Sequence, residues 1–238
     1  MPQLNFSEAP QIIAPNGKHI ALILLLDVSE SMGWNDTSGA RPIDELNAGI
    51  SDFQRSAASD RRVANTLDVA VVAFNHEADL HTNWTPVEYL PEIILEANGG
   101  TDYNKGIRLS IDKINERIAF YKDIIGPNNI FKPWIVMITD GSHDDRRGSI
   151  NDIANEVRKM EEQGKLRFWA IGAGDNYDNQ YLHALTDKVL KVKNYDFKEL
   201  FDWLFKSMRS VSQSSPADTP KLPMLPKNVD KDPNTFNI

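Results

Sequence analysis

Cysteine is absent from all 238 residues, which removes disulfides, thiolate metal sites and cysteine nucleophiles together. Any metal must therefore be held by oxygen or by histidine. Histidine is itself scarce, and His19, His76, His81 and His183 show no spacing that suggests ligation or catalysis. Basic side chains are outnumbered: 26 Lys and Arg stand against 34 Asp and Glu, for a formal net charge of -8. Nucleic-acid affinity rests on clustered Lys and Arg, so that class of partner is not expected, and the acidic surface suits cations or basic partners. No apolar run is long enough to span a bilayer, so no membrane insertion is expected. The run 20–26 follows Lys18 and His19 like a signal-peptide core, but Glu8 lies upstream and Asp27 ends it without a small-residue cleavage site. It reads as a buried strand of a cytoplasmic protein. No G-x-x-x-x-G-K-[ST] loop follows any strand, which disfavours a P-loop nucleotide hydrolase.

What is present is an alternation of two periods. Residues 19–27 are continuously apolar, the mark of a strand covered on both faces in a parallel sheet. From Ile43 the period changes, and Ile43, Leu46, Ile50, Phe53 and Ala57 fall on one helical face. Strand patterns recur at "TLDVAVVAF", "WIVMITDG", "LRFWAIGAG" and "KVLKV". Residues 78–84 read as a shorter, more polar edge strand. Helical faces recur at Ile107, Ile111, Ile114 and Ile118, at Ile150, Ile153, Val157 and Met160, and at Phe197, Leu200, Leu204, Met208 and Val211. Strands alternating with helices predict a doubly wound α/β fold: a mostly parallel central sheet, one antiparallel edge strand, and helices on both faces. Residues 1–18 read as an extended lead-in, 19–213 as the domain, and 214–238, with spaced prolines, as an extended, mobile tail.

Polar clusters surface where the strands end. Asp27, Ser29 and Ser31 follow the first strand, Thr101 and Asp102 follow the pair Gly99 and Gly100, and Asp140 closes "IVMITDG". In open α/β sheets ligands bind beyond the carboxyl ends of the strands, where strand order reverses. If the first strand and the one ending at Asp140 are neighbours, Asp27 and Asp140 face each other there. Two close carboxylates repel unless a cation or proton intervenes. Hydroxyls and carboxylates are hard oxygen donors, which suit Mg²⁺, Mn²⁺ or Ca²⁺, and the spacing of two turns Ser29 and Ser31 to one side. Mg²⁺ keeps several waters, so a site with few protein carboxylates leaves room for an outside acidic ligand.

These residues resemble a known family. "DVSES" is similar to the D-x-S-x-S signature of von Willebrand factor A domains, and Thr101 and Asp140 complete what that family calls a metal-ion-dependent adhesion site. The resemblance spans roughly residues 19–213 and implies a Rossmann-like von Willebrand A fold. It further implies that Ser29, Ser31 and Thr101 hold the metal directly, with Asp27 and Asp140 nearby, often through water. Another protein's Asp or Glu would complete the shell. A finer resemblance, to the bacterial tellurium-resistance-associated A-domain proteins, rests on "VVAFNHEADL", "GGTDYNKGIRL", "FKPWIVMITDG" and "IGAGDNYDNQYLHALTD". It implies a stress-response setting and kinase- or phosphatase-like partners. The segment "GWNDTSGAR" is longer than the tight loop expected in such relatives and must project beside the metal, so Trp34 is a candidate partner contact. His143, on the loop after Asp140, is a second.

Simpler explanations stand beside these. Ser29, Ser31, Thr101 and Asp102 could cap helices, Asp140 with Gly141 could be a turn, Trp34 could fold back onto its own domain, and Asp175 reads as a turn residue. No nucleophile with a base partner is visible, so no enzymatic activity is expected. The enzyme alternative is a haloacid-dehalogenase-type phosphohydrolase, with Asp27 at the first strand exit and a late "GDN" at 174–176, but it needs a second Asp where Ser29 stands. A third possibility leaves the metal site vestigial and gives recruitment to the Pro-rich tail.

Overall fold

Eight consecutive residues of the first strand, β1 (Ile20–Asp27), are fully enclosed, so its two alternating sets of side chains need two separate apolar layers. The computed structural model describes residues 17–35, 39–174 and 177–231, and supplies both layers. Ile20, Leu22, Leu24 and Leu26 pack under helices α1 (Pro42–Ser59) and α6 (Phe197–Ser212). Ala21, Ile23 and Leu25 pack under α3 (Tyr103–Ile124), α4 (Asn151–Glu162) and α5 (Asn179–Leu185). One turn of helix, α2 (Arg61–Ala64), follows α1, with Asp60 accepting hydrogen bonds from the N–H groups of Arg62 and Val63.

The other strands are β2 (Leu67–Phe74), β3 (Ala78–Pro86), β4 (Trp134–Thr139), β5 (Arg167–Ala173), β6 (Val189–Val192) and β7 (Val229–Lys231), in the order β3-β2-β1-β4-β5-β6-β7. β1 pairs parallel with β2 on one side and with β4 on the other. The chain leaves β1 through α1 on one face and reaches β4 through α3 on the opposite face. Strand order therefore reverses between β1 and β4, and a crevice opens beyond their carboxyl ends. Gly106 lets α3 lie close to the sheet, for a Cβ there would come within 2.9 Å of Phe74.

β3 runs antiparallel at one edge, as its alternating pattern predicts. The other edge corrects the expectation of a mobile tail. Residues 214–231 return along the domain and add β7 antiparallel to β6, a second antiparallel edge strand. Trp203 Nε1 donates to the carbonyl of Pro223 at 3.2 Å, Val229 is buried, and Leu222 and Leu225 pack on the core. Spaced prolines do exclude helix, but an extended segment needs only an apolar surface and a free strand edge to settle. The lead-in 1–16, Asp175, Asn176 and residues 232–238 lie outside the described residues.

A buried charge cluster sits at the opposite end of the sheet from the crevice. Asp68 on β2 lies 3.2 Å from His19 Nδ1 and 2.9 Å from Arg117 Nη2, and it accepts a hydrogen bond from the Tyr121 hydroxyl. The Arg117 guanidinium also lies over the rings of Tyr121, Phe120 and Trp84. Burial alone would push the Asp68 carboxyl up, but His19, Arg117 and Tyr121 outweigh it and hold the group below the usual carboxylate range. Asp68→Asn strands the Arg117 charge in the core and is expected to cost about 3–5 kcal/mol, read from urea denaturation. A loss under about 1 kcal/mol would show that the ion pair does not hold α3 to the sheet.

Candidate metal centre

The β1 strand ends with Asp27 pointing into the crevice, and its two carboxylate oxygens are occupied in different ways. Oδ1 accepts the backbone N–H of Ser29 at 2.7 Å, which bends the chain sharply after the strand. Oδ2 accepts the hydroxyl of Thr139, the last residue of β4, at 2.5 Å. The next residue, Asp140, accepts a hydrogen bond from Ser31 Oγ at 2.7 Å, and Ser31 Oγ lies 3.2 Å from Ser29 Oγ. Three loops are fastened around this point by backbone bonds. Glu30 N–H donates to Gly99 O at 2.9 Å, Asn98 N–H to Val28 O at 2.7 Å, and Asp144 N–H to Thr101 O at 3.1 Å. Gly99 makes its turn at φ 76°, a left-handed conformation that favours glycine.

Thr101 joins the group from the third loop. A Cβ placed on Gly141 would lie 3.6 Å from Thr101 Oγ1 and 3.8 Å from Ser31 Oγ, so both hydroxyls border one small space beside Gly141. Thr101 Oγ1 has no hydrogen-bond partner among the described residues. The capping explanation holds for Asp102, which accepts Asn104 N–H at 3.0 Å at the start of α3. It does not hold for Ser29, whose side chain makes no capping bond to the short 3-10 turn that follows. The structure thus brings Asp27, Ser29, Ser31, Thr101 and Asp140 to the mouth of a single crevice.

Electrostatics make that arrangement costly as it stands. Burial pushes the Asp27 carboxyl up from 3.8 to about 7, the bonds from Ser29 and Thr139 offset part of this, and Asp140 adds repulsion. Burial raises Asp140 too, against the hydrogen bond from Ser31. No basic side chain among the described residues forms an ion pair with either carboxyl group. No three His, Asp or Glu side chains among the described residues form a metal cage either, so any ion here must be held mainly by hydroxyls. Two facing acids without a counter-charge and a threonine hydroxyl without a partner fit an oxygen-bound divalent cation.

Two expected partner contacts fare differently. Trp34 is 63% exposed beside the crevice, at the rim of a shallow hollow of about 420 Å³ that Glu30, Arg41, Asp44 and Glu96 also line. It has not folded back onto the core; Asp36, Thr37 and Ser38 of its loop lie outside the described residues. His143 is a correction, for it is buried and therefore cannot greet a partner. Its Nδ1 accepts Tyr103 N–H at 3.2 Å and its Nε2 bonds Gly148 O at 2.7 Å, so it ties the 141–148 loop to α3.

Two residues were missed in the sequence. Thr139 orients Asp27, and Tyr103 donates its hydroxyl to Gly141 O at 2.9 Å, setting the position of the loop that carries Asp140. A polar residue ending an otherwise apolar strand beside Asp140 was the available signal for Thr139. Tyr103, fully buried, looks like any core aromatic.

Comparison with known proteins places this geometry in a wider group. No curated protein matches the chain. Among solved structures it is similar to a von Willebrand factor type A protein from Catenulispora acidiphila, with 16% identity, a TM-score of 0.59, and coverage of 82% of this chain and 43% of that one. The pilus adhesin SpaC from Lactobacillus rhamnosus GG gives 15%, 0.62, 82% and 31%. Proximal thread matrix protein 1 from the mussel byssus, in a form with a zinc-occupied MIDAS motif, gives 17%, 0.51, 85% and 46%. This chain spans less than half the length of each, and at such identities the likeness is one of fold. The model for the von Willebrand factor type A domain matches residues 22–143, just over half of the chain. The chain belongs to the von Willebrand factor type A domain family.

Proposed function

We propose that this chain is a non-enzymatic, metal-dependent interaction module that captures an acidic side chain of another protein. The observation that carries this reading is the pair of buried acids, Asp27 and Asp140, with no basic partner among the described residues and with three hydroxyls gathered at their side. Ser29, Ser31 and Thr101 would hold the ion, and Asp27 and Asp140 would balance its charge and steer the hydroxyls. The ion's contribution is Lewis acidity toward an incoming carboxylate. Hard oxygen donors favour Mg²⁺, with Mn²⁺ or Ca²⁺ next, while the zinc in the mussel protein's MIDAS motif makes Zn²⁺ worth including as a competitor. Exposed Trp34 would supply apolar contact beside the captured acid.

The likeness to tellurium-resistance-associated A-domain proteins extends the reading to a bacterial stress-response system, a cytoplasmic setting and kinase- or phosphatase-like partners. Among the described residues no helix is long and apolar enough to cross a membrane. The phosphohydrolase alternative needs a proton-carrying acid at position 29, where this chain has serine.

Divalent cation should raise the melting temperature of the wild-type protein and should fail to do so for Thr101→Ala, whose far-UV dichroism stays that of the parent. Equal cation response in the two proteins would remove Thr101 from the site. The folded state keeps the Asp27 proton up to about pH 7, whereas an unfolded aspartate gives it up near 3.8, so the folded state binds more protons between these values. Without metal, the Asp27 contribution therefore makes stability fall as pH rises from about 4 to about 7 and level off above. Comparing wild type with Asp27→Asn isolates this difference, which saturating Mg²⁺ should abolish. In capture assays, chelator should release the partner and Trp34→Ala should weaken its affinity by about tenfold. Capture that ignores chelator but requires residues 214–238 would give recruitment to the tail instead.

A further inference from the structure

The returning tail does more than cover an edge, for it roofs a groove of about 720 Å³ over β5 and β6, a size typical of small-molecule sites. Arg167, Lys188, Lys221 and Lys231 line it, and no acidic side chain among the described residues does, although the chain carries a net charge of -8. Lys188 is paired with Glu161 at 2.8 Å. Arg167, Lys221 and Lys231 have no ion-pair partner among the described residues. The Arg167 guanidinium lies 4.9 Å from the centre of the Trp134 ring, and burial holds its pKa below the ordinary value. Lys132 is held low as well, by burial and then by the charges of Arg167 and Lys188. Glu161 is the anion these cations share, and among the described residues it pairs directly only with Lys188.

The apolar part of the groove carries a second, independent sign. Trp169 and Trp203 form its floor, with ring centroids 5.0 Å apart and edge-on. The indole N–H of Trp203 is satisfied by the Pro223 carbonyl of the roof. The indole N–H of Trp169, on a residue with no exposed surface, has no partner among the described residues. A buried donor left unpaired costs free energy and calls for an acceptor that the protein does not itself provide. Leu222 and Leu225 in the roof complete the apolar lining.

We propose that the groove between the 219–225 strap and strands β5 and β6 binds a small organic anion, a carboxylate or phosphate ester carried on an aromatic body. The body would lie against Trp203, Leu222 and Leu225, an oxygen would reach the enclosed Trp169 indole N–H as the strap shifts outward, and Arg167 with the lysines would neutralise the charge. Arg167 opens β5 and Lys188 precedes β6, so the groove lies at the end of the sheet opposite the metal centre and works independently of it.

The test uses the full chain with naphthoate, naphthyl phosphate, naphthylmethanol and naphthylmethylammonium as probes, followed by calorimetry and by the indole N–H resonance of Trp169. One or both anions should saturate a single site at least tenfold more tightly than the alcohol, the ammonium should not bind, and the tighter anion identifies the headgroup. Arg167→Gln should cost the anions at least tenfold and leave the alcohol unchanged. Trp169→Phe keeps an aromatic side chain but removes the N–H and some buried volume, so it should lower the melting temperature of the free protein and weaken the anions several-fold more than the alcohol. If Arg167→Gln folds poorly, the exposed pair Lys221→Gln and Lys231→Gln should give the same selective loss. The proposal is overturned if alcohol and ammonium match the anions, if the variants bind as wild type does, or if only an acidic peptide saturates the groove.

Discussion

Asp27 and Asp140 are buried at the ends of neighbouring strands with no ion-pair partner among the described residues, and much of the upper end of the molecule is arranged around the cost of that burial. Folding brings the pair together because β1 and β4 are neighbours and both end at the crevice. The hydrogen bonds from Ser29 N–H, Thr139 and Ser31 each remove part of the cost, yet Asp27 still holds its proton far longer than an ordinary aspartate. A site with charge to spare and hydroxyls at its mouth is prepared for something positive.

The far end of the sheet solves a related problem differently. There Asp68 receives its counter-charge from within the chain, and Arg117 is wrapped by three aromatic rings. Nearby, the tail-roofed groove gathers cations and leaves an indole donor unspent. The molecule thus gathers acids at one end of the sheet and most of these cations at the other, separated by central strands whose middle residues are apolar.

How much of this was legible in the sequence depended on how local each signal was. β1, β2, β4 and β5 were readable as apolar runs because parallel strands are buried on both faces, and α1, α3, α4 and α6 because a single helical face meets the sheet. The gathering of Asp27, Ser29, Ser31, Thr101 and Asp140 at one crevice was readable because each follows an apolar strand or a glycine turn at the carboxyl end of the sheet. The tail was not, because its fate is decided by Trp203 and the open edge of β6, far away in sequence. His143 was misread for a similar reason: in a run of charged loop residues nothing local shows that Tyr103 N–H and Gly148 O will enclose it. Asp68 and Arg117 stand 49 residues apart and look like ordinary helix and strand polar residues until packing joins them.

The two antiparallel edge strands carry one more consequence. β3 has register shifts against β2 and turns Leu80 and Trp84 away from His81 and Asn83, while β7 is three residues long and presents Asp230 and Lys231. Bulges, short length and paired opposite charges are the means by which sheets refuse extension by a stranger's backbone. Two such borders keep a core rich in valine, isoleucine and leucine from templating its own stacking, and leave the strand ends, not the sheet edges, as its open polar surface.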